Sequence, residues 1–439
     1  MQDVYLVSLG CDKNRVDGET MIGTLRTSGY SVVNDPAMAK AIVVNTCGFI
    51  RDAVQESINL ILELSEHKTS GSCQALIIVG CMVARYKDEI KASIPEADAI
   101  VGVGQYENIA EVVKDFIGPP QTHTSTTAFA RLAARIDDIT PHIAYIKISE
   151  GCNNCCTYCT IPAIRGPYTS RNIEDILEES RQLVASGAKE IVLVAQDTAQ
   201  YGIDIYGENV LPQLLQKLAD DSGATWIRLM YAYPEHITPE LIATMAKLPQ
   251  VCKYIDMPIQ HSEDSVIERM GRAGSRKGLL KIISDLRTAM PDIAIRTTLI
   301  TGFPGESSRD FDNMCKFIAE VKFDRLGVFP YSREDGTPAA TMPSQVREST
   351  KQTRLDRLMQ LQQNIHFEKQ EKFVGQTFPV MVDSQENGIY TGRTQRDAHD
   401  VDTIVTFTSK QQLTQGQIYP VKILESDLYD LRGRHEPTQ

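Results

Sequence analysis

Ten times along this chain a short run rich in Val, Ile and Leu gives way to a segment of helical period, and nothing else in the sequence restricts the fold as strongly. Four of these pairs come first. The runs VYLVSLG (4–10), AIVVNTCGF (41–49), ALIIVGC (75–81) and AIVGVG (99–104) each lead into a helical stretch, such as AVQESINLILELSEH after the second. Apolar runs with no polar alternate face are strands buried on both sides, and helical spacers supply the crossovers that parallel strands need. This part of the chain predicts an open parallel-sheet α/β domain.

Residues 118–141 open with Pro-Pro and carry a Thr/Ser cluster, which reads as a linker. Six further pairs follow, with strands near AYIKISE (144–150), EIVLVAQD (190–197), WIRLMYAY (226–233), KYIDMPIQ (253–260), AIRTTLITGF (294–303) and RLGVFPYS (325–332). Six in succession predict a curved parallel sheet or partial (β/α)6 barrel, with functional residues at the carboxyl ends of its strands. A charged helix from about Gln345 to Phe373 sets Leu355, Leu358, Met359, Gln362 and Ile365 at spacings of three and four, as an apolar face packed on that barrel would. Beyond Val374 come short β-rich runs with Gly and Asn-Gly turns, which predict a small antiparallel β-barrel. The expected division is 1–117, a linker 118–141, 142–373 including the connector helix, and 374–439.

A length of 439 residues accommodates roughly three domains. The longest apolar run, Ala75 to Ala84, is too short to span a bilayer, and no basic-then-apolar leader opens the sequence. A cytoplasmic protein is expected, whose cysteines act as metal ligands or catalytic thiols rather than disulfides. The net charge of −12 argues against a nucleic-acid backbone as the main partner, because phosphate neutralisation dominates that affinity.

The stretch SEGCNNCCTYCTIP (149–162) holds four of the ten cysteines. Two registers compete. Two abutting CxxC pairs (Cys152/Cys155 and Cys156/Cys159) suggest zinc, whereas CxxxCxxC (Cys152, Cys156, Cys159) supplies three ligands and leaves Cys155 over. Structural zinc sites join two hooks across a longer spacer. Here the hooks abut, and adjacent side chains diverge. A four-iron cluster held at three corners keeps one iron open for a cofactor. The loop directly follows the first strand of the six-unit series, where a catalytic loop belongs. Cys11, Cys47 and Cys81 form no local motif, yet SLGC, VNTCGF and IVGCM place each just after a predicted parallel strand. Such ends share one edge of a sheet, where α/β folds build sites, so three thiolates can converge there. Cys73, Cys252 and Cys315 lack that placement and read as small buried hydrophobes.

EGCNNCCTYCTIPAIRG (150–166), with Tyr158 just before the last cysteine, resembles the cluster loop of radical S-adenosylmethionine enzymes. The resemblance implies that Cys152, Cys156 and Cys159 hold a 4Fe-4S cluster whose open iron chelates S-adenosylmethionine, and that Cys155 is a bystander. The full layout is similar to the methylthiotransferase family, and SLGCDKNRVDGETM, NTCGFI, VAQDTAQYGIDIYG, WIRLMYAYP, DMPIQH, RTTLITGFPGE and YSREDGTPAA point to its RimO type. That likeness implies a radical barrel between an N-terminal domain with an auxiliary 4Fe-4S cluster on Cys11, Cys47 and Cys81 and a C-terminal TRAM barrel. It implies methylthiolation of an aspartate β-carbon in small-subunit ribosomal protein twelve. Two roles for S-adenosylmethionine go with it, as do a low-potential electron donor such as a flavodoxin and a sulfur source. The alternatives are a tRNA adenosine methylthiotransferase and, from another class, a non-catalytic zinc-binding module that docks RNA or protein.

Tyr158 and Gln196 are the candidate cofactor contacts, with Asp197, Gln260 and His261 as further polar residues at strand ends. Ser307 in GFPGES reads equally as a helix N-cap. Residues 374–439 carry nine acids against six bases, a balance suited to a basic ribosomal protein rather than tRNA, which is not expected as a partner.

Overall fold

The computed structural model describes residues 2–120 and 141–437. Two compact units emerge. The first combines the N-terminal residues with Tyr145–Asn153 and Cys159–Thr169, and the second holds Asn154–Tyr158 and the chain from Ser170 onward. The expected linker falls, over 121–140, outside the described residues.

In the first unit β1 (Asp3–Ser8), β2 (Ser31–Val33), β3 (Ala41–Thr46), β4 (Ala75–Gly80) and β5 (Ala99–Val101) form one sheet in the order β2-β1-β3-β4-β5. Every pairing is parallel. Each residue of β3 and β4 is buried. Ala41 and Val43 of β3 join one core with Met21, Leu25 and Val113, whereas Ile42 and Val44 join a second core with Ile61, Leu64 and Ile90. Helices therefore cover both faces, which explains the unbroken apolar runs. Each fully buried Val or Ile contributes about 1.5–3 kcal/mol. The sequence reading lacked β2. It is three half-buried residues at the sheet edge, too short to stand out as an apolar run.

The second series begins with β6 (Ile143–Lys147), and β7 (Ser149–Glu150) pairs with β8 (Thr169–Ser170) at the base of the cysteine loop. Then come β9 (Glu190–Val194), β10 (Trp226–Leu229), β11 (Tyr254–Asp256), β12 (Ala294–Thr301) and β13 (Arg325–Pro330). All six expected strands are present, but they form two sheets of three, β10-β9-β6 and β11-β12-β13. One isolated parallel bridge, Ile227 to Val251, joins β10 to the approach of β11. Pro258, which has no N–H to donate, follows closely on β11 and keeps it short.

The connector helix runs Glu348–Gln370. Its buried face holds Leu358 and Ile365 as expected, but also Lys351, Arg354, Gln362, His366 and Gln370. Most of their polar atoms are satisfied, Gln362 Oε1 and Gln370 Oε1 being the exceptions. Lys351 donates to Tyr331 O at 2.7 Å, Arg354 to Glu306 Oε1 at 2.6 Å and Gln362 to Phe323 O at 3.0 Å. The helix packs through hydrogen bonds as much as through apolar contact, a correction to the apolar stripe.

β14 (Thr377–Glu386), β15 (Ile389–Arg393), β16 (Val405–Thr408), β17 (Ile418–Ser426) and β18 (Leu431–His435) close into a barrel in the order β14-β15-β16-β18-β17. Its core includes Val380, Val382, Tyr390, Phe407, Val421 and Ile423. One seam departs from the antiparallel expectation, because β16 and β18 pair in parallel. Buried charges join this barrel to β9 and β10 within the second unit. Arg393 contacts Glu190 at 2.9 Å and Asp383 at 2.7 Å, Arg228 donates to Glu190 at 2.6 Å, and His142 lies 2.9 Å from Asp383. No helix among the described residues is long and apolar enough to cross a membrane.

Candidate functional site

β1, β3 and β4 are adjacent strands, and a cysteine follows each at the carboxyl edge. Cys11 caps the helix Asp12–Thr27, Cys47 follows Thr46, and Cys81 begins the helix Cys81–Ser93. Cys11 is near enough to raise the thiols of Cys47 and Cys81, and Cys47 adds to the rise at Cys81. Backbone economy permits this approach. Gly10 has φ +93°, and a Cβ there would stand 2.9 Å from Cys47 Cβ. Burial pushes the Cys81 thiol up to about 11 against the pull of the neighbouring Arg165 guanidinium, and burial likewise raises Cys47.

One amide ties the three loops together. Asn14 Nδ2 donates to Leu9 O at 2.7 Å and to Thr46 O at 3.1 Å, and its Oδ1 lies 3.9 Å from Cys81 Sγ. The same Oδ1 accepts from Arg165 Nη2 at 3.1 Å. Around it sits a set of alternating charges. Arg165 contacts Asp17 at 3.0 Å and Glu150 at 2.9 Å, and Lys147 contacts both carboxylates. Burial alone would raise the Glu150 carboxyl, but Lys147 and Arg165 hold it down at about 2. Sequence reading passed over Asn14 and Arg165. Their signals were present, a polar residue one turn into a helix that starts at a cysteine and an arginine just past the cysteine loop, but neither has a local motif.

The donor set fits a cluster. Three converging thiols at a sheet edge, with a cation against one of them, suit a sulfur-rich anionic group.

The 152–159 loop is braced along its length. Cys152 N–H donates to Gly166 O at 3.1 Å, and Gly151, at φ +75°, has Pro167 O 2.1 Å from where a Cβ would stand. Ile161 N–H donates to Cys159 Sγ at 3.4 Å. In the second unit Thr157 N–H donates to Met270 O and Thr157 O accepts from Ala339 N–H, both at 2.9 Å. Cys156 Sγ lies 3.4 Å from the Tyr233 hydroxyl, and the Arg272 guanidinium covers the Tyr233 ring at 3.7 Å. Burial raises the Tyr233 phenol well above its usual value. Tyr233 stands four residues beyond the end of β10, where the strand-end rule would have found it.

The other predicted residues divide. Tyr158 packs edge-on against Phe303, at the margin of the cluster with Val266, Met270 and Tyr331. Asp197 is a loop organiser. It accepts from Asn154 at 3.2 Å, Gln200 at 2.8 Å and Ala199 N–H at 3.1 Å, and lies 2.7 Å from His236 Nδ1. Gln196 is half-buried beside it. Gln260 adopts φ +66° and bridges to Leu299, and His261 is buried with Nδ1 accepting from Glu263 N–H. Ser307 is an N-cap in a reciprocal capping box with Asp310. All ten cysteines are free of disulfides, with Cys155 exposed and Cys73, Cys252 and Cys315 buried.

Comparison with known proteins covers nearly the whole chain. Residues 3–102 match an uncharacterized protein family, UPF0004, residues 146–318 the radical SAM superfamily, and residues 374–435 the TRAM domain. The ribosomal protein uS12 methylthiotransferase RimO of Clostridioides difficile (strain 630) is 45% identical over 437 residues, 99% of this chain and 98% of that protein. Its namesake from Lachnoclostridium phytofermentans is 44% identical over 438 residues, 99% of this chain and all of that protein. Among solved structures, the radical S-adenosylmethionine methyltransferase TsrM of Kitasatospora setae, with cobalamin and a 4Fe-4S cluster bound, aligns with a TM-score of 0.54 at 12% identity. That alignment covers 89% of this chain and 80% of that one, a likeness of fold.

Proposed function

This chain belongs to the ribosomal protein uS12 methylthiotransferase (RimO) family, and from that premise we propose that it adds a methylthio group to the β-carbon of an aspartate in that ribosomal protein. Cys152, Cys156 and Cys159 are the proposed holders of a 4Fe-4S cluster that binds S-adenosylmethionine. Cys11, Cys47 and Cys81 are the proposed holders of a second. Together these groups supply one-electron cleavage of S-adenosylmethionine, which yields a radical able to take hydrogen from unactivated carbon, and a sulfur donor.

The observation that carries the reading is the gathering of Cys11, Cys47 and Cys81 at one sheet edge in a chain that also bears the CxxxCxxC loop. The chain's own residues then have definite tasks. Asn14 holds the three cysteine loops in register. Asp197 fixes Asn154 within the other loop, and Tyr233 and Arg272 shield the Cys156 side of that loop. Tyr158 and Gln196 remain the proposed cofactor contacts.

The substrate assignment leans on the relatives more than on charge. Asp383, Asp397 and Asp402 of the C-terminal barrel are buried in ion pairs, and so is Arg393, which leaves its surface nearly balanced. A low-potential donor such as a flavodoxin, an exogenous sulfide and a cytoplasmic site of action complete the proposal, with the division at 117, 141 and 373 as its domain scheme. Anaerobic reaction with isolated uS12 and, separately, with tRNA tests it by mass spectrometry. A methylthio adduct on the protein is expected. An adduct on tRNA alone overturns the reading.

A further inference from the structure

Arg165 lies at the end of the short helix Ile161–Arg165, six residues past Cys159, and its side chain is 1% exposed. The first unit surrounds it with groups from two places, the approach to Cys152 and the helix Asp12–Thr27. Glu150 stands two residues before Cys152, Asp17 lies on the helix that begins after Cys11, and Asn14 ties the cysteine loops together. Arg165 and Cys81 converge on the same atom, Asn14 Oδ1, at 3.1 and 3.9 Å. The guanidinium is near enough to pull the Cys81 thiol down against the effect of its burial.

A purely structural ion pair would account for the contacts with Asp17 and Glu150. It would not account for a buried guanidinium that shares Asn14 Oδ1 with a cysteine thiol. Lys147 already bridges the same two carboxylates. The geometry points to Arg165 as a positioning residue of the auxiliary site, one whose cation faces the Cys81 sulfur and favours added negative charge there. This rests on the reading that Cys11, Cys47 and Cys81 hold a cluster. Cluster potentials depend on net charge and on hydrogen bonds to the sulfurs, and a donated hydrogen bond from a cation raises them. The role suits the chemistry. A carbon radical that joins a methylthiolate forms one C–S bond and leaves one electron over, which a cluster held by Cys11, Cys47 and Cys81 would take up. A cation at Cys81 eases that uptake. Because Arg165 belongs to the exit of the other cysteine loop, disorder in that loop would be felt as a weaker electron acceptor at the auxiliary site.

The test is a potentiometric titration of the anaerobic holoenzyme followed by electron paramagnetic resonance, comparing wild type with Arg165→Gln, Arg165→Lys and Asp17→Asn. Arg165→Gln is expected to make one of the two centres about tenfold harder to reduce, which is about 59 mV for one electron, and to leave the other in place. Arg165→Lys restores part of that shift. Asp17→Asn removes a carboxylate that competes for the guanidinium and moves the same centre the opposite way, a reversal that loss of structural support does not produce. If Arg165→Gln fails to load its auxiliary centre, Asp17→Asn alone decides. Two centres in the wild type with no shift, or with equal shifts of both, overturn the inference. A single centre in the wild type overturns the underlying reading of Cys11, Cys47 and Cys81 instead.

Discussion

The molecule builds its two cysteine trios by opposite routes. Cys152, Cys156 and Cys159 are held within eight residues of one loop, so covalent spacing brings them near each other even before the chain folds. Cys11, Cys47 and Cys81 meet because β1, β3 and β4 lie side by side, and they have no proximity until that sheet exists. The loop trio is half-buried throughout. In the sheet trio Cys11 is exposed, Cys47 half-buried and Cys81 buried, its thiol pushed up to about 11 and sharing Asn14 Oδ1 with a buried arginine. A local motif therefore guarantees adjacency but leaves the surroundings to the fold, whereas a site assembled from three strands obtains adjacency and environment together.

The sharpest way to break this contrast is to remove one cysteine from each trio. Cys156→Ser should take both S-adenosylmethionine cleavage and methylthio product to background. Cys81→Ser should abolish the product alone, with 5′-deoxyadenosine still formed, and chromatography of the small molecules separates the two. If Cys81→Ser keeps making product, the trios do not have separate tasks.

Asn14→Ala probes what holds the sheet trio. It deletes donors to Leu9 O and Thr46 O and removes one of the acceptors of Arg165. Buried groups left unsatisfied cost about 1–3 kcal/mol each. A lower melting temperature and loss of half the iron, with the loop's share retained, are expected. Unchanged iron would mean that the strands alone set the site.

The charges between the trios give a pH signature. The Glu150 carboxyl is held down at about 2, from 4.5, by Lys147 and Arg165 despite its burial. A depressed carboxylate stabilises the folded state above its unfolded value, and that contribution is lost as pH falls from about 4.5 toward about 2. Wild type should exceed Glu150→Gln by about 1–2 kcal/mol at neutral pH, since partial exposure screens the pairs, and the gap should close through that window. A gap that persists at pH 2 assigns the effect to packing. The smallest effect belongs to Cys155→Ser, which should change neither iron content nor product. Any loss of iron would restore the competing register of the loop.

Both trios could be read in the sequence, for different reasons. The loop stood out by spacing, and the sheet trio by the repeated position of a cysteine just after an apolar run. The six barrel strands were equally legible, because buried parallel strands lack polar alternation. What escaped was whatever depends on a partner distant in sequence. Arg165 reaches Asn14 across 151 residues and Asp17 across 148, and nothing local announces either contact. The same limit explains the connector helix, whose buried Lys351 and Arg354 are satisfied by Tyr331 and Glu306. It also explains the parallel seam between β16 and β18, since pairing direction is a property of closure and not of composition.

The buried charges that fasten the C-terminal barrel to β9 and β10 limit how this enzyme can be recombined. Glu190 has two guanidinium partners, one on β10 and one on β15, so a graft that swaps in a foreign barrel without a matching Arg393 leaves a carboxylate half-paired in an apolar interior. Breaking such a pair costs about 3–5 kcal/mol. Shuffling this terminal module between relatives should succeed only when Glu190, Arg228 and His142 travel with it as one inherited block.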